Sequence, residues 1–128
     1  WGRVVNITSG AVKAPIPVLG LSNGARAGLT GFVAGLARDL AGKGVVINNL
    51  LPGQFATDRI ATQIDANAKR QGVSREQAAA DLVKAIPVGR FGDPAEFGEV
   101  CAFLCSRQAA FLVAQNILLD GGRYPGTF

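Results

Sequence analysis

Two hydroxyl side chains and one guanidinium are the residues of this sequence whose types and spacing could do chemistry. Ser9 follows a short apolar run, and Ser22 and Arg26 lie four residues apart in the next amphipathic segment. Residues four apart share one face of a helix. Hydroxyls can donate hydrogen bonds to a carbonyl oxygen, and arginine adds a permanent charge with forked donors. We therefore predict that one site gathers all three side chains.

The elements that must position this site are predicted from hydrophobic periodicity and from turn residues. Apolar, β-branched runs predict strands at residues 3–8, 45–51 and 115–119. Apolar residues at helical spacing, together with capping residues, predict helices at residues 21–41, 58–70, 74–87 and 93–106. Strands separated by helices of this length pair in parallel. The fold class predicted is therefore α/β, with three strands that form half of a doubly wound parallel sheet.

Composition excludes several kinds of chemistry. The chain of 128 residues has no histidine, so histidine-based acid–base catalysis and histidine–metal ligation are excluded within it. Its two cysteines cannot supply the four ligands of a structural zinc site, and we predict no metal. Cys101 and Cys105 lie four residues apart in an apolar segment, so we expect both to be buried free thiols on one helix face.

The distribution of charge and apolar residues also limits the partners. The net charge is +4, but the lysines and arginines are scattered and only Lys69 and Arg70 adjoin, so we predict no nucleic-acid partner. No uncharged apolar run reaches the ~18 residues of a membrane span, so we predict no membrane partner. The absence of an evident disulfide framework is typical of a reducing compartment, and we predict a cytoplasmic location.

One short motif suggests a different enzyme class. Residues 20–24, Gly-Leu-Ser-Asn-Gly, satisfy the G-x-S-x-G pattern of the α/β-hydrolase nucleophile. That motif requires a strand before the serine and a histidine after it. Here Pro15 and Pro17 precede the serine, and the chain lacks histidine. We interpret the match as accidental.

Five segments together resemble a known family. They are GRVVNITSG, LSNGARAGLTGF, INNLLPGQFATD, IPVGRFGDPAEFGEVCAFLCS and QNILLDGG. In this order they resemble the C-terminal half of the short-chain dehydrogenases/reductases, close to the 3-oxoacyl-carrier-protein reductase-like members. The resemblance implies that residues 1–128 are the C-terminal part of one Rossmann-like domain. It also implies that the dinucleotide-binding half lies outside this chain.

The resemblance implies a role for each of the three candidate residues. Ser9 corresponds to the serine that hydrogen-bonds the substrate carbonyl. Ser22 stands where the family has its catalytic tyrosine, and Arg26 stands where it has lysine. Arg26 could still hold ribose hydroxyls of the cofactor or a substrate carboxylate. The implied activity is hydride transfer between NAD or NADP and a small carbonyl or alcohol substrate, such as a 3-oxoacyl thioester.

A second segment is implied to hold the nicotinamide. The residues that match the family's cofactor loop are Pro52, Gly53, Phe55 and Thr57. Binding of NAD or NADP by this fragment alone is expected to be weak or absent, because the glycine-rich phosphate loop of such folds does not occur in it. The family also pairs through the helix at residues 21–41 and through the last helix and strand. We therefore expect a homo-oligomer, a dimer or a tetramer.

The serine in place of tyrosine leaves two functions open. A phenol titrates near ~10, whereas an aliphatic alcohol resembles water at ~15.7, and a gap of about 5–6 pKa units corresponds to roughly 7–8 kcal/mol. Arg26 cannot close that gap, although a water held by Ser22 could relay a proton. The first hypothesis is an active oxidoreductase that uses Ser9, Ser22 and Arg26. The second is a catalytically impaired relative that binds dinucleotide or a partner.

Overall fold

The computed structural model describes residues 1–127 and shows an α/β arrangement. The strands are β1 (Gly2–Ile7), β2 (Val45–Pro52) and β3 (Asn116–Leu119). The helices are α1 (Gly20–Ala41), α2 (Asp58–Gln71), α3 (Arg75–Val83) and α4 (Pro94–Leu104), with a short 3-10 helix at Gly10–Val12. All three predicted strands are confirmed, with ends within one residue of the prediction.

The sheet has the parallel topology that was predicted. Its strand order is β1-β2-β3, and both pairings are parallel. Helix α1 packs on one face of β2, where Val33 and Ala37 contact Ile47. Helix α4 covers the other face, where Leu104 contacts Leu50. Because both faces of β2 are covered, its apolar residues form a nearly continuous run rather than an alternating one.

A row of asparagines crosses the sheet. Asn6, Asn49 and Asn116 are register partners on the three strands. Asn6 Nδ2 donates to Asn49 Oδ1 at 3.1 Å, and Asn49 Nδ2 donates to Asn116 Oδ1 at 2.8 Å. Asn49 is only 1% exposed, and an amide buried without such bonds would destabilise the fold.

The apolar residues predicted on the first helix divide between two faces. Val33 is buried and Leu40 is half-buried, and both belong to the cluster against the sheet. Leu29, Phe32 and Leu36 point away from it and are 42%, 66% and 36% exposed. Helix α1 therefore buries one narrow stripe and leaves a second apolar face uncovered.

Helix α3 differs from its prediction at both ends. The capping box predicted at Ser74 is only half formed: Ser74 Oγ accepts from the Gln77 amide, but the Gln77 side chain donates to Asp81. The helix also ends at Val83 rather than continuing up to Pro87. The residue before a proline is disfavoured in the α conformation, so the chain leaves the helix in a turn before Pro87.

The prediction for the two cysteines is wrong in one case. Cys101 is half-buried against the α4 core, and burial raises the pKa of its thiol. Cys105 is exposed, because it is the C-cap residue of α4, where the chain turns away from the sheet. Of the helices described, none has the length and apolar character needed to span a membrane.

Candidate active site

Arg26 connects the start of α1 to the end of β1. Its Nε donates to Ser22 Oγ at 3.1 Å, and its Nη1 donates to the Thr8 carbonyl at 2.7 Å. Thr8 directly precedes Ser9. The helical spacing thus brings Ser22 and Arg26 together, as predicted, and Arg26 is bonded to the residue next to Ser9.

Ser9 occupies the turn that follows β1. It is the N-cap of the 3-10 helix, where its Oγ accepts from the Ala11 amide at 3.1 Å. Ser22 Oγ likewise accepts from a nitrogen donor, Arg26 Nε. A serine hydroxyl that accepts in this way keeps its own hydrogen available. Each of the two serines therefore has a hydrogen left to donate.

Two further residues of this region were missed in the sequence. Thr8 is 4% exposed, and among the described residues its Oγ1 has no hydrogen-bond partner. In the sequence Thr8 resembles an ordinary strand residue. Asn23 makes two bonds to the backbone of Ile16: Nδ2 donates to its carbonyl at 2.9 Å, and Oδ1 accepts from its amide at 3.3 Å. An asparagine that follows a proline-containing loop was the available signal.

The predicted nicotinamide loop lies at the same edge of the sheet as Ser9. Parallel strands end at one edge, and Gly53 directly follows the end of β2 as Thr8 directly follows the end of β1. The Gly53 amide donates to the Leu119 carbonyl at 2.7 Å. A Cβ on Gly53 would lie 2.6 Å from Asp120 Cα, so this close approach of two backbones requires glycine.

Phe55 and Thr57 continue this loop into α2. Phe55 pairs with Gly92 in an isolated parallel bridge, and its ring meets Phe97 edge-on with centroids 5.3 Å apart. Thr57 Oγ1 makes a long bond of 3.4 Å to the Phe55 carbonyl, and its side chain does not cap the helix that it precedes. No hydrogen bond between the described residues joins this loop to Ser22 or Arg26.

A match to a protein-family model identifies the family of this chain. A family model described as enoyl-(acyl carrier protein) reductase matches residues 1–123. The chain belongs to the short-chain dehydrogenase/reductase family. The match includes the whole sheet, Ser9, the start of α1 and the loop after β2, so the predicted resemblance is confirmed at the level of the family.

Known short-chain reductases are similar to this chain over nearly its full length. The acetoacetyl-CoA reductase of Cupriavidus necator is 38% identical over 98% of this chain and 47% of its own length. The structure of YwfH, an NADPH-dependent reductase of bacilysin biosynthesis, is 28% identical with a TM-score of 0.90 and covers 98% of this chain and 48% of its own.

A third relative is a short-chain oxidoreductase of Pseudomonas aeruginosa PAO1 whose structure is described as containing an atypical catalytic center. It is 30% identical with a TM-score of 0.81, and the alignment covers 96% of this chain and 47% of that protein. The chain spans about half the length of the curated relatives that it matches, 47% in the case of the acetoacetyl-CoA reductase.

Proposed function

We propose that the whole protein is an NAD- or NADP-dependent oxidoreductase that transfers a hydride to or from a carbonyl or alcohol substrate. A 3-oxoacyl thioester is the proposed substrate class, because the acetoacetyl-CoA reductase of Cupriavidus necator is 38% identical to this chain. The observation that carries the proposal is the pair of serine hydroxyls beside Arg26. Each accepts one bond from a nitrogen and keeps its hydrogen for a carbonyl.

The three side chains take different parts in this reaction. Ser9 and Ser22 donate to the substrate oxygen and stabilise the negative charge that develops on it during reduction. The charge of Arg26 stabilises the same oxygen, and its bond to Ser22 Oγ fixes the direction of that hydroxyl. A serine is too weak an acid to replace the family tyrosine as proton donor, and a water molecule is no stronger. A water bound by Ser22 therefore only relays a proton, which the solvent supplies.

The loop after β2 offers donors that fit a nicotinamide carboxamide. The Phe55 amide has no hydrogen-bond partner among the described residues, and the exposed Thr57 hydroxyl has only its long bond to Phe55. These donors lie at the start of α2, where the first backbone amides also lack partners. When bound, the cofactor supplies or accepts the hydride. In this proposal Gly53, Phe55 and Thr57 hold its carboxamide, and Pro52 sets the direction of the loop.

The test is a double substitution in the whole protein, Ser22→Tyr with Arg26→Lys. We expect it to raise the rate of carbonyl reduction above that of wild type, because a phenol beside a lysine is a much stronger proton donor than a serine hydroxyl. The measurement is NAD(P)H oxidation with a panel of ketones and 3-oxoacyl thioesters. Adding Ser9→Ala should abolish the gain, since the carbonyl loses a donor.

Two results would contradict parts of this proposal. If wild type turns over quickly and the double variant is slower, the weak acidity of Ser22 does not limit the reaction, and Ser22 and Arg26 form a working site of a different kind. If neither protein oxidises NAD(P)H with any substrate of the panel, the catalytically impaired relative is the correct interpretation.

We also propose that the protein assembles through the uncovered face of α1. Leu29, Phe32 and Leu36 are exposed there, and a Cβ on Gly28, four residues before Phe32, would meet nothing within 4 Å. Such a face is apolar and allows a second helix to approach closely. Gly28→Leu should therefore reduce the mass measured by light scattering without unfolding the protein. Ala66→Leu, at an exposed position of α2, is the control. A monomeric wild type at high concentration would refute the assembly.

A further inference from the structure

Helix α4 carries the two cysteines of the chain on one face. Cys101 and Cys105 lie four residues apart, and the Cys105 amide donates to the Cys101 carbonyl at 3.0 Å, so the helical register between them is intact. Side chains at this spacing lie one above the other, with Cβ atoms about 5–6 Å apart. The two thiols therefore project from adjacent turns of the same surface.

The two thiols differ in exposure, yet each affects the other. Cys101 is half-buried beside Leu50 and Leu104, whereas Cys105 is exposed. Burial raises the pKa of the Cys101 thiol, and Cys105 raises it further through its charge and through a hydrogen bond. The core thus holds one thiol in place, and the other lies beside it and is open to solvent.

The distance between the two side chains argues against a disulfide. A disulfide requires Cβ atoms about 3.5–4.5 Å apart, which is closer than the helical spacing allows unless the backbone moves. An ion bound between the sulfurs spans a longer distance, because two metal–sulfur bonds of about 2.3 Å each let the sulfurs lie up to about 4.6 Å apart. The spacing therefore suits an ion held between the thiols better than a direct bond between them.

The surroundings of the pair select the class of ion. Thiolates prefer soft metal ions. Zinc takes three or four protein ligands, and across the described residues no three side chains of histidine, cysteine, aspartate or glutamate are grouped to hold a metal ion. A soft monovalent ion is satisfied by two sulfurs in a linear arrangement. The C-terminal end of a helix also favours positive charge, and Cys105 is the C-cap of α4.

We propose that Cys101 and Cys105 bind one soft monovalent cation, Cu⁺ or Ag⁺, between their sulfurs. On binding, each S–H group loses its proton to solvent and each sulfur donates an electron pair to the ion, so no atom changes its oxidation state. The bound ion links the last two turns of α4. This site is independent of the proposed oxidoreductase activity, and its test measures no turnover.

The test is a competition for Cu⁺ with the whole protein. Cu⁺ is supplied as its coloured bicinchoninate complex, without oxygen and with a thiol-free reductant, and the loss of colour measures transfer to the protein. Wild type should take up one Cu⁺ per chain more than Cys105→Ser, because this variant leaves a single sulfur at the site. Cys105 is exposed, so Cys105→Ser should keep the melting temperature of wild type. Cys101→Ala should lose the same ion.

A matched variant keeps two thiols on α4 but changes their spacing. Cys105→Ser with Ala102→Cys places the thiols at adjacent positions, which do not face each other on a helix. Ala102 is exposed, so the added sulfur meets no core residue. This variant should take up no more Cu⁺ than Cys105→Ser alone. Ag⁺ in chloride-free buffer should displace the ion from wild type, whereas an excess of Zn²⁺ should not.

Three results would overturn the proposal. The first is equal uptake of Cu⁺ by wild type and by Cys105→Ser, which would show that the two thiols do not act together. The second is full uptake by the variant with adjacent thiols, which would show that their spacing has no part in binding. The third is displacement of Cu⁺ by Zn²⁺, which would show that the site does not prefer a monovalent ion.

Discussion

The first backbone amides of a helix have no partner within it. The starts of α1 and α4 differ in whether side chains bond to these amides. At α4, Asp93 accepts from the Ala95 amide at 2.9 Å, and Glu96 accepts from the Asp93 amide at 2.7 Å. Arg90 adds two bonds to the Glu96 carboxylate. At α1 the N-cap is Leu19, which makes no side-chain bond, and the first turn has no acidic residue.

At the start of α1 the polar residues belong to the candidate site, whereas at the start of α4 they stabilise the helix. The polar residues at the start of α1 do not cap the helix. Ser22 and Arg26 bond to each other and to Thr8, and Asn23 bonds to Ile16. At the start of α4, every polar group bonds within its own turn or to Arg90. The first arrangement holds two other segments in place, and the second stabilises only its own helix.

The largest effect should come from breaking the α1 arrangement. Arg26→Met removes both the bond to Ser22 and the bond to Thr8 and keeps an unbranched side chain. We expect kcat to fall about 100-fold, the scale of losing one aimed donor at a developing charge. Steady-state NAD(P)H oxidation by the whole protein measures it. Arg26→Lys keeps the charge and should lose less; equal rates for Arg26→Met and wild type would show that the guanidinium has no part in the reaction.

At α4 the expected effect is on stability alone. Asp93→Ala removes the cap and should lower the free energy of unfolding by about 1 kcal/mol. Leu19→Ala at the same position of α1 should cost little through capping, because no cap bond exists there. Denaturant titration measures both, and kcat of Asp93→Ala should match wild type. If Leu19→Ala lowered the free energy of unfolding more than Asp93→Ala does, the contrast between the two helix starts would be wrong.

The smallest effect is the pH dependence of the α4 cap. The bonds from Arg90, followed by the Asp93 amide, lower the pKa of Glu96 from 4.5 to about 2. The pKa of Glu96 is therefore lower in the folded protein than in the unfolded one. The stabilisation that ionised Glu96 gives to the fold is complete above pH 4.5 and disappears as the pH falls toward 2. The melting-temperature difference between wild type and Glu96→Gln should be constant at neutral pH and shrink in this acidic range. A difference that grows on acidification would contradict the assignment.

How much of the structure the sequence predicts depends on the distance over which residues interact. The α4 cap is local, and its proline, aspartate and glutamate predict it correctly. The half-formed box at Ser74 was mispredicted because Gln77 had a competing partner, Asp81, one turn away. Ser22 and Arg26 were paired correctly from helical spacing. The bond from Arg26 to Thr8 joins residues 18 positions apart in the sequence, and no local sequence pattern predicts it. The Asn23 bonds to Ile16 were missed because they depend on the path of a loop.

The asparagine row through Asn6, Asn49 and Asn116 has a consequence for how the strands find their alignment. Covered parallel strands are apolar on both faces, so their side chains give few signals against sliding along one another. A slide of two residues would keep each side chain on its own face, yet it would set Asn49 opposite Val4 instead of Asn6. A buried amide would then lose its partner, at a cost of about 1–3 kcal/mol. The three amide side chains therefore favour a single register of the strands. This register places Ser9 and Gly53 at the same edge of the sheet.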